Sequence, residues 1–360
     1  MEPLVVQHCF GAPHAGGPPT ALMRLQSTRA EPYPEIWQRE AAGGLSLPLV
    51  RHFIGELRRL RPDLLHVRGL GNEGFHAALA GRIARVPRIL VSVHGTQRDL
   101  VGDGGLRRSV VVNLLEPATL RMADAIVTMC RSAAERDFLD PFRHKLLSPV
   151  PNGVSLPSPD PAAALAVRAR LGIASERVVA VIVSRVTEQK GYGDLAAALH
   201  WIERNADDAE LDLIVVGGGD DDGLIARQFA GLARSRTHFV GQQANVGPYL
   251  DAADIFLFPS WHENLSNALL EAMSHGLPVI ATAVGGNIEV LDHGGGLLVP
   301  PHDPTALANA IRRMAGSEAL RAETGQAARQ TIVDHYSLDR MARSWTAHYH
   351  TVTAKGGRPR

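Results

Sequence analysis

The chain reads as two doubly wound α/β domains, each built on a parallel sheet. Three observations predict this. Short apolar runs alternate with amphipathic stretches along most of the length, the pattern of βαβ units. Glycine- and proline-containing loops punctuate the runs, as strand-to-helix connections require. Five prolines between Pro149 and Pro161 mark an interdomain linker. At 360 residues, 45% hydrophobic and 21% charged, the chain can build two cores.

Composition narrows the function classes. The formal net charge is zero, which argues against nucleic acid as the main partner. The charge is unevenly spread: residues 1–152 hold 19 Lys+Arg and 14 Asp+Glu, and the remainder holds 18 and 23. The basic first half suits an anionic acceptor or a membrane surface, so peripheral contact at the inner membrane face stays open. Cys9 and Cys130 have no metal or redox spacing and read as reduced cytoplasmic thiols. No apolar run reaches membrane-spanning length, and the first residues lack a signal peptide's basic and apolar regions.

In the first half, Leu4-Val5-Val6 opens a strand, followed by a turn-rich loop through Gly16 and Gly17. Pro18 stands near the position where a phosphate loop needs lysine, which excludes that motif. A helix runs from Thr20 to about Gln26. Residues 29–48 read as irregular, and Leu49 to Leu60 as an amphipathic helix with Arg51, Arg58 and Arg59 on its polar side. Leu64–Val67 and Ile89–Val93 are strands flanking a helix from Phe75 to Arg85. His94 follows the second of these, at a strand's carboxyl end, where ligands of parallel sheets gather. Arg68, Asn72, Arg98 and Arg131 occupy comparable loops and are candidate acceptor contacts. Leu106–Met122 reads as a helix and Asp124–Thr128 as a strand.

In the second half, Val178–Ser184 is a β-branched buried strand. Arg185 and Lys190 flank the loop after it, where two cations can bind a diphosphate, arginine as a planar fork and lysine as a point charge. Leu213–Val216 is the next strand, closed by Gly217-Gly218-Gly219, which lets a flat base approach the backbone. A dinucleotide fingerprint would need glycine where Asp222 stands, which counts against an oxidoreductase. Asp220 and Asp222 form a D-x-D, read as a solvated turn rather than a metal site. His238–Gly241 is a short strand and turn, with Gly241 beside the base.

The stretch from Phe258 to Glu289 carries the chemistry. Ile255–Phe258 is a buried strand, and the next helix is capped by Asn264 or Ser266 and ended by Gly276 and Pro278. Val279-Ile280-Ala281 is a further strand that runs into Gly285-Gly286. Glu263 lies on the first loop and Glu271 in the helix, with seven residues between them. The helix tip at Asn264, Leu265, Ser266 and Asn267 offers backbone N–H groups to a phosphate. The carboxylates can then accept hydrogen bonds from hydroxyls on either side of it.

This stretch resembles the E-x7-E signature of retaining glycosyltransferases of family GT4: P-S-x-x-E, L-L-E-A-M, G-x-P-V-I-A-T and G-G-x-x-E stand in register. Further matching elements are R-x-x-x-x-K-G at Arg185–Gly191, P-N-G-V at Pro151–Val154 and V-x-x-H-G at Val91–Gly95. The resemblance implies the GT-B fold, two Rossmann-like domains facing across a cleft. Residues 1–152 would bind the acceptor and 153–337 the nucleotide sugar, with a helix at about 338–352 packing back on the first domain. It further implies that Glu271 holds ribose hydroxyls, Glu263 and His94 lie at the transferred sugar, and Gly16 and Gly17 meet the donor. Arg185 and Lys190 would bind the diphosphate. Asn264-Leu265-Ser266 stands where the family often has Gly-Phe-Gly. The expected activity is retaining transfer from a nucleotide-diphosphate sugar, UDP-sugar foremost, to a hydroxyl of a glycan, lipid-linked or small-molecule acceptor. The expectation includes no metal and no cofactor beyond that co-substrate. The rivals are a nucleotide-sugar epimerase and a non-catalytic sugar-nucleotide-binding protein on the same fold.

Overall fold

A computed structural model describes residues 2–11, 16–39, 44–99, 105–205, 210–220 and 223–354. Residues 12–15 of the first glycine-rich loop and Asp222 of the D-x-D lie outside the described residues. The chain forms two compact units: residues up to Gly153 together with those from Leu338 onward, and Val154–Ser337.

The first unit holds five strands: β1 (Val5–Phe10), β2 (Glu35–Gln38), β3 (Leu64–Arg68), β4 (Arg88–Val93) and β5 (Ala125–Thr128). They form one sheet in the order β2-β1-β3-β4-β5, and every pairing is parallel. β2 lies in the segment read as irregular. Its four residues pair with Gln7–Phe10 and take their extended form from that neighbour, not from a periodic pattern of their own.

The two faces of this sheet differ. One presents Val6, Leu65, Val67, Ile89 and Val91 to an apolar core that includes Phe53 and Leu57 of the helix Leu47–Leu60. The other carries the buried polar side chains Gln7, His66, Arg68 and Ser92. The helix Leu338–Ala354 lies against this polar face: the Trp345 ring stands 4.6 Å from that of His66, and Tyr349 bonds Gln7 and His66. Trp345 and Tyr349 are both buried.

The second unit holds β6 (Val178–Val183), β7 (Leu211–Val216), β8 (Arg236–Gly241), β9 (Ile255–Phe258), β10 (Val279–Thr282) and β11 (Gly296–Val299). Their order is β11-β10-β9-β6-β7-β8, again parallel throughout. Alternate residues feed two separate cores. Val179, Val181, Ile214 and Phe256 face one side, and Ala180, Ile182, Leu213 and Leu257 face the other. Strands buried on both faces explain the unbroken apolar runs in the sequence.

Candidate functional site

In the second unit β6 and β9 are neighbours, and the chain winds outward from them in opposite directions. This is the topological switch point, where the loops beyond the two strands splay apart and leave a crevice. The loop after β6 carries Arg185 and Lys190, and the loop after β9 carries Glu263. The Lys190 ammonium forms an ion pair with the Glu263 carboxylate, with both side chains mostly buried. That bond spans the switch point.

The two loops are fastened by backbone. Trp261 N–H donates to the Gln189 carbonyl at 2.9 Å. A Cβ on Gly191 would lie 1.9 Å from the Pro259 carbonyl oxygen, so only glycine permits this approach. Trp261 is further held by its indole N–H, which donates to Asp194 at 2.7 Å. The Arg185 side chain is exposed, and among the described residues its guanidinium has no ion-pair or hydrogen-bond partner.

The helix after Glu263 spans Asn267–Ser274, and Ser266 is its cap, accepting from the Leu269 N–H at 3.4 Å. Of the two expected caps the structure therefore uses Ser266. Asn267 is the first helical residue and Glu271 the fifth, half-buried. Asn264 and Leu265 form the approach to the helix. Gly285 and Gly286 both pack against the Glu263–Asn264 backbone. Gly286 N–H donates to the Asn264 carbonyl at 2.8 Å, and a Cβ on Gly285 would lie 1.7 Å from the Glu263 carbonyl oxygen.

Gly217 and Gly241 follow β7 and end β8, and Gly217 N–H donates to the Gly241 carbonyl at 2.9 Å. Val186 N–H donates to the Gly218 carbonyl at 2.8 Å, which ties this glycine loop to the Arg185 loop. Asp220 accepts from the N–H groups of Ile225 and Ala226 and so caps the following turn of helix. Among the described residues no group of three or more His, Cys, Asp or Glu is placed to hold a metal ion, and no helix is long and apolar enough to cross a membrane.

The first unit carries the other expected residues. Gly16, with φ +86°, precedes the helix Gly17–Ser27, and among the described residues a Cβ at either glycine would meet nothing within 4 Å. His94 follows β4, and its Nε2 lies 3.1 Å from Ser92 Oγ. Burial, with the nearby Arg68 charge, lowers its pKa to about 3, so the ring is neutral at ordinary pH. The sequence reading missed what stands behind His94: Ser92, His66, Gln7 and Tyr349. The available signal was polar residues at alternate positions of otherwise apolar strands.

Two parallel α/β units, with cations, carboxylates and a helix tip gathered at a switch point, define a GT-B sugar-transfer enzyme. Comparison with known proteins agrees. Residues 6–157 match the model described as Glycosyltransferase Family 4, and residues 177–317 match that of Glycosyl transferases group 1. The alpha-maltose-1-phosphate synthase of Mycolicibacterium smegmatis is 31% identical over 313 residues, covering 78% of each chain. The D-inositol 3-phosphate glycosyltransferase of Xylanimonas cellulosilytica is 31% identical over 230 residues, 59% of this chain and 54% of that one. Among solved structures, Anabaena Alr3699/HepE in complex with UDP-glucose superimposes with a TM-score of 0.78 at 18% identity, covering 96% of this chain and 99% of that one. Sucrose-phosphate synthase from Thermosynechococcus elongatus gives 0.76 at 23%, covering 98% and 99%. The chain belongs to glycosyltransferase family 4, and it is a glycosyltransferase.

Proposed function

We propose that this enzyme transfers a sugar, with retention of anomeric configuration, from a nucleotide-diphosphate sugar to a hydroxyl acceptor. The observation that carries the reading is the Lys190–Glu263 pair across the switch point, with Arg185 beside it. A lysine ammonium has three N–H donors, and Glu263 takes one. Lys190 and Arg185 together neutralise the charge that grows on the diphosphate as the glycosidic bond breaks. The tip of the helix Asn267–Ser274 adds N–H donors to the same group. Glu271 accepts from the ribose hydroxyls, Gly217 and Gly241 border the base, and Glu263 meets the transferred sugar.

Transfer proceeds on one face of the sugar. The bond from the anomeric carbon to the diphosphate oxygen breaks as the acceptor oxygen bonds to that carbon. The acceptor's proton passes to the departing phosphate oxygen. The charges of Arg185 and Lys190 serve this step without a metal ion. UDP-sugar is the foremost donor, supported by the UDP-glucose bound to the similar HepE fold. The first half's excess of basic residues favours an anionic acceptor, and two relatives carry a phosphorylated compound in their names. Glycan, glycolipid and natural-product assembly all supply such acceptors.

A thermal-shift screen over UDP-, GDP-, ADP- and dTDP-sugars tests the donor. UDP-sugars are expected to raise the melting temperature most. Flat responses to all four would refute the reading. NMR of the product formed with an accepted donor then gives the anomeric configuration.

A further inference from the structure

A cavity of about 380 Å³ lies within the first unit, between the end of the helix Gly17–Ser27 and the helix Leu338–Ala354. Leu25, Arg29 and Tyr33 line one wall. Arg343, Ala347 and His350 line the other, at spacings of four and three that set them on one helix face. The helix Gly17–Ser27 leaves the carboxyl end of β1 and returns the chain to the start of β2. Its last turn and Tyr33 therefore stand at the amino edge of the parallel sheet. The loops where ligands of such sheets gather are at the opposite edge, so the cavity is separate from them.

The walls carry more positive charge than the protein pairs. Arg29 Nε donates to the Glu31 carbonyl at 3.1 Å, and its Nη1 donates to Glu2 and to Tyr33 Oη, each at 2.9 Å. Among the described residues its Nη2 has no hydrogen-bond partner, which leaves two N–H donors. The guanidinium lies 4.0 Å from the centroid of the Tyr33 ring, which holds it at the wall. Arg343 and His350 are exposed, and among the described residues neither side chain has an ion-pair or hydrogen-bond partner. Glu2 is the one carboxylate paired with any of these three among the described residues.

The volume lies in the range of small-molecule sites. Leu25, Ala347 and the Tyr33 ring give it apolar wall beside the cations. An arginine fork matches phosphate oxygens, and a phosphate monoester brings close to two negative charges to two arginines. We propose that this cavity binds a small phosphate monoester, its phosphate met by Arg29 and Arg343 and its carbon skeleton lying on Leu25 and Ala347. The ligand ties the C-terminal helix to the end of the first helix and so stabilises its docked form.

Isothermal titration calorimetry of the full chain with phenyl phosphate tests this. Arg343→Ala is expected to weaken binding about tenfold, one lost charged hydrogen bond. Ala347→Trp changes an exposed position, fills the cavity and should abolish binding. Glu2→Gln removes the competing carboxylate and should tighten binding about two- to fivefold. Arg185→Ala controls for phosphate on the loops of the second unit and should leave the affinity unchanged. Hydrogen exchange across Leu338–Ala354 should slow with phenyl phosphate in the wild type and not in Ala347→Trp. No binding by the wild type, full binding in both Arg343→Ala and Ala347→Trp, or loss of binding in Arg185→Ala would overturn the proposal. Benzoate, with the same ring and one charge, should bind at least about tenfold more weakly. Equal affinity for benzoate would overturn the assignment to phosphate.

Discussion

Gly285→Ala is the sharpest probe of how the site is held. At φ +45° and ψ −131° the backbone of Gly285 suits only glycine, and an alanine there costs about 1–3 kcal/mol in strain. The added Cβ would lie 1.7 Å from the Glu263 carbonyl oxygen, and real Cβ contacts do not fall below 3.0 Å. One of the two backbones must therefore retreat by about 1.3 Å, and the Glu263 loop is the one that the proposed function places at the transferred sugar. A displacement of that order costs about a hundredfold in rate when it misplaces reacting groups. Steady-state kinetics of nucleoside diphosphate release, paired with urea denaturation, separates the two effects. Gly172→Ala is the control: φ is +64°, and the new Cβ meets nothing within 4 Å. It should lower stability by about 1 kcal/mol and leave kcat alone. A Gly285→Ala enzyme with kcat within about threefold of wild type would refute the idea that this glycine sets the position of Glu263.

Other outcomes follow from the same geometry. Glu271→Gln should raise KM for the donor about tenfold or more, a charged hydrogen bond to a hydroxyl being worth about 1.5–3 kcal/mol, with a smaller change in kcat; an unchanged donor KM in initial-rate assays would contradict its role. Lys190→Ala should lower kcat by about a hundredfold and also destabilise the fold, because it leaves Glu263 mostly buried without its cation. Arg185→Ala should slow transfer without moving the melting temperature, since that side chain is exposed and unpaired among the described residues; a large melting shift would contradict this. His8 is fully buried, among the described residues neither ring nitrogen has a hydrogen-bond partner, and burial lowers its pKa from 6.5 to about 3. Between those values the unfolded chain binds a proton that the folded chain does not. The stability it allows is thus whole above pH 6.5 and is lost towards pH 3, by at most about 1.4 kcal/mol per pH unit. His8→Leu should flatten denaturation midpoints over that window, and an unaltered slope would refute the assignment.

Much of the second unit was legible because strands buried on both faces write themselves as unbroken apolar runs, and the site residues stand just beyond them. Arg185, Lys190, Glu263 and Glu271 could be placed on loops and a helix from local pattern alone. The ion pair between Lys190 and Glu263 could not, since it joins side chains 73 positions apart. Nor could the use of Gly285 against protein backbone, because a glycine that serves a ligand and one that serves a neighbouring loop look alike in sequence. In the first unit, β2 escaped notice because Glu35–Gln38 is too short for periodicity and depends on β1 for its form. The buried polar face escaped for a related reason. Gln7, His66, Arg68 and Ser92 are spread over three strands, with two of them on β3, and only the sheet brings them side by side.

The C-terminal helix has a consequence for how the molecule is made. Its Trp345 and Tyr349 cover the polar face of a sheet whose strands lie within the first 128 residues. During synthesis that sheet leaves the ribosome long before its cover, with arginine and histidine side chains still wet. The first unit therefore finishes folding only after the second has been translated, contrary to the usual order of nascent domains. A circular permutant opened at the Gly153–Val154 junction would place the helix ahead of the sheet and abolish the wait.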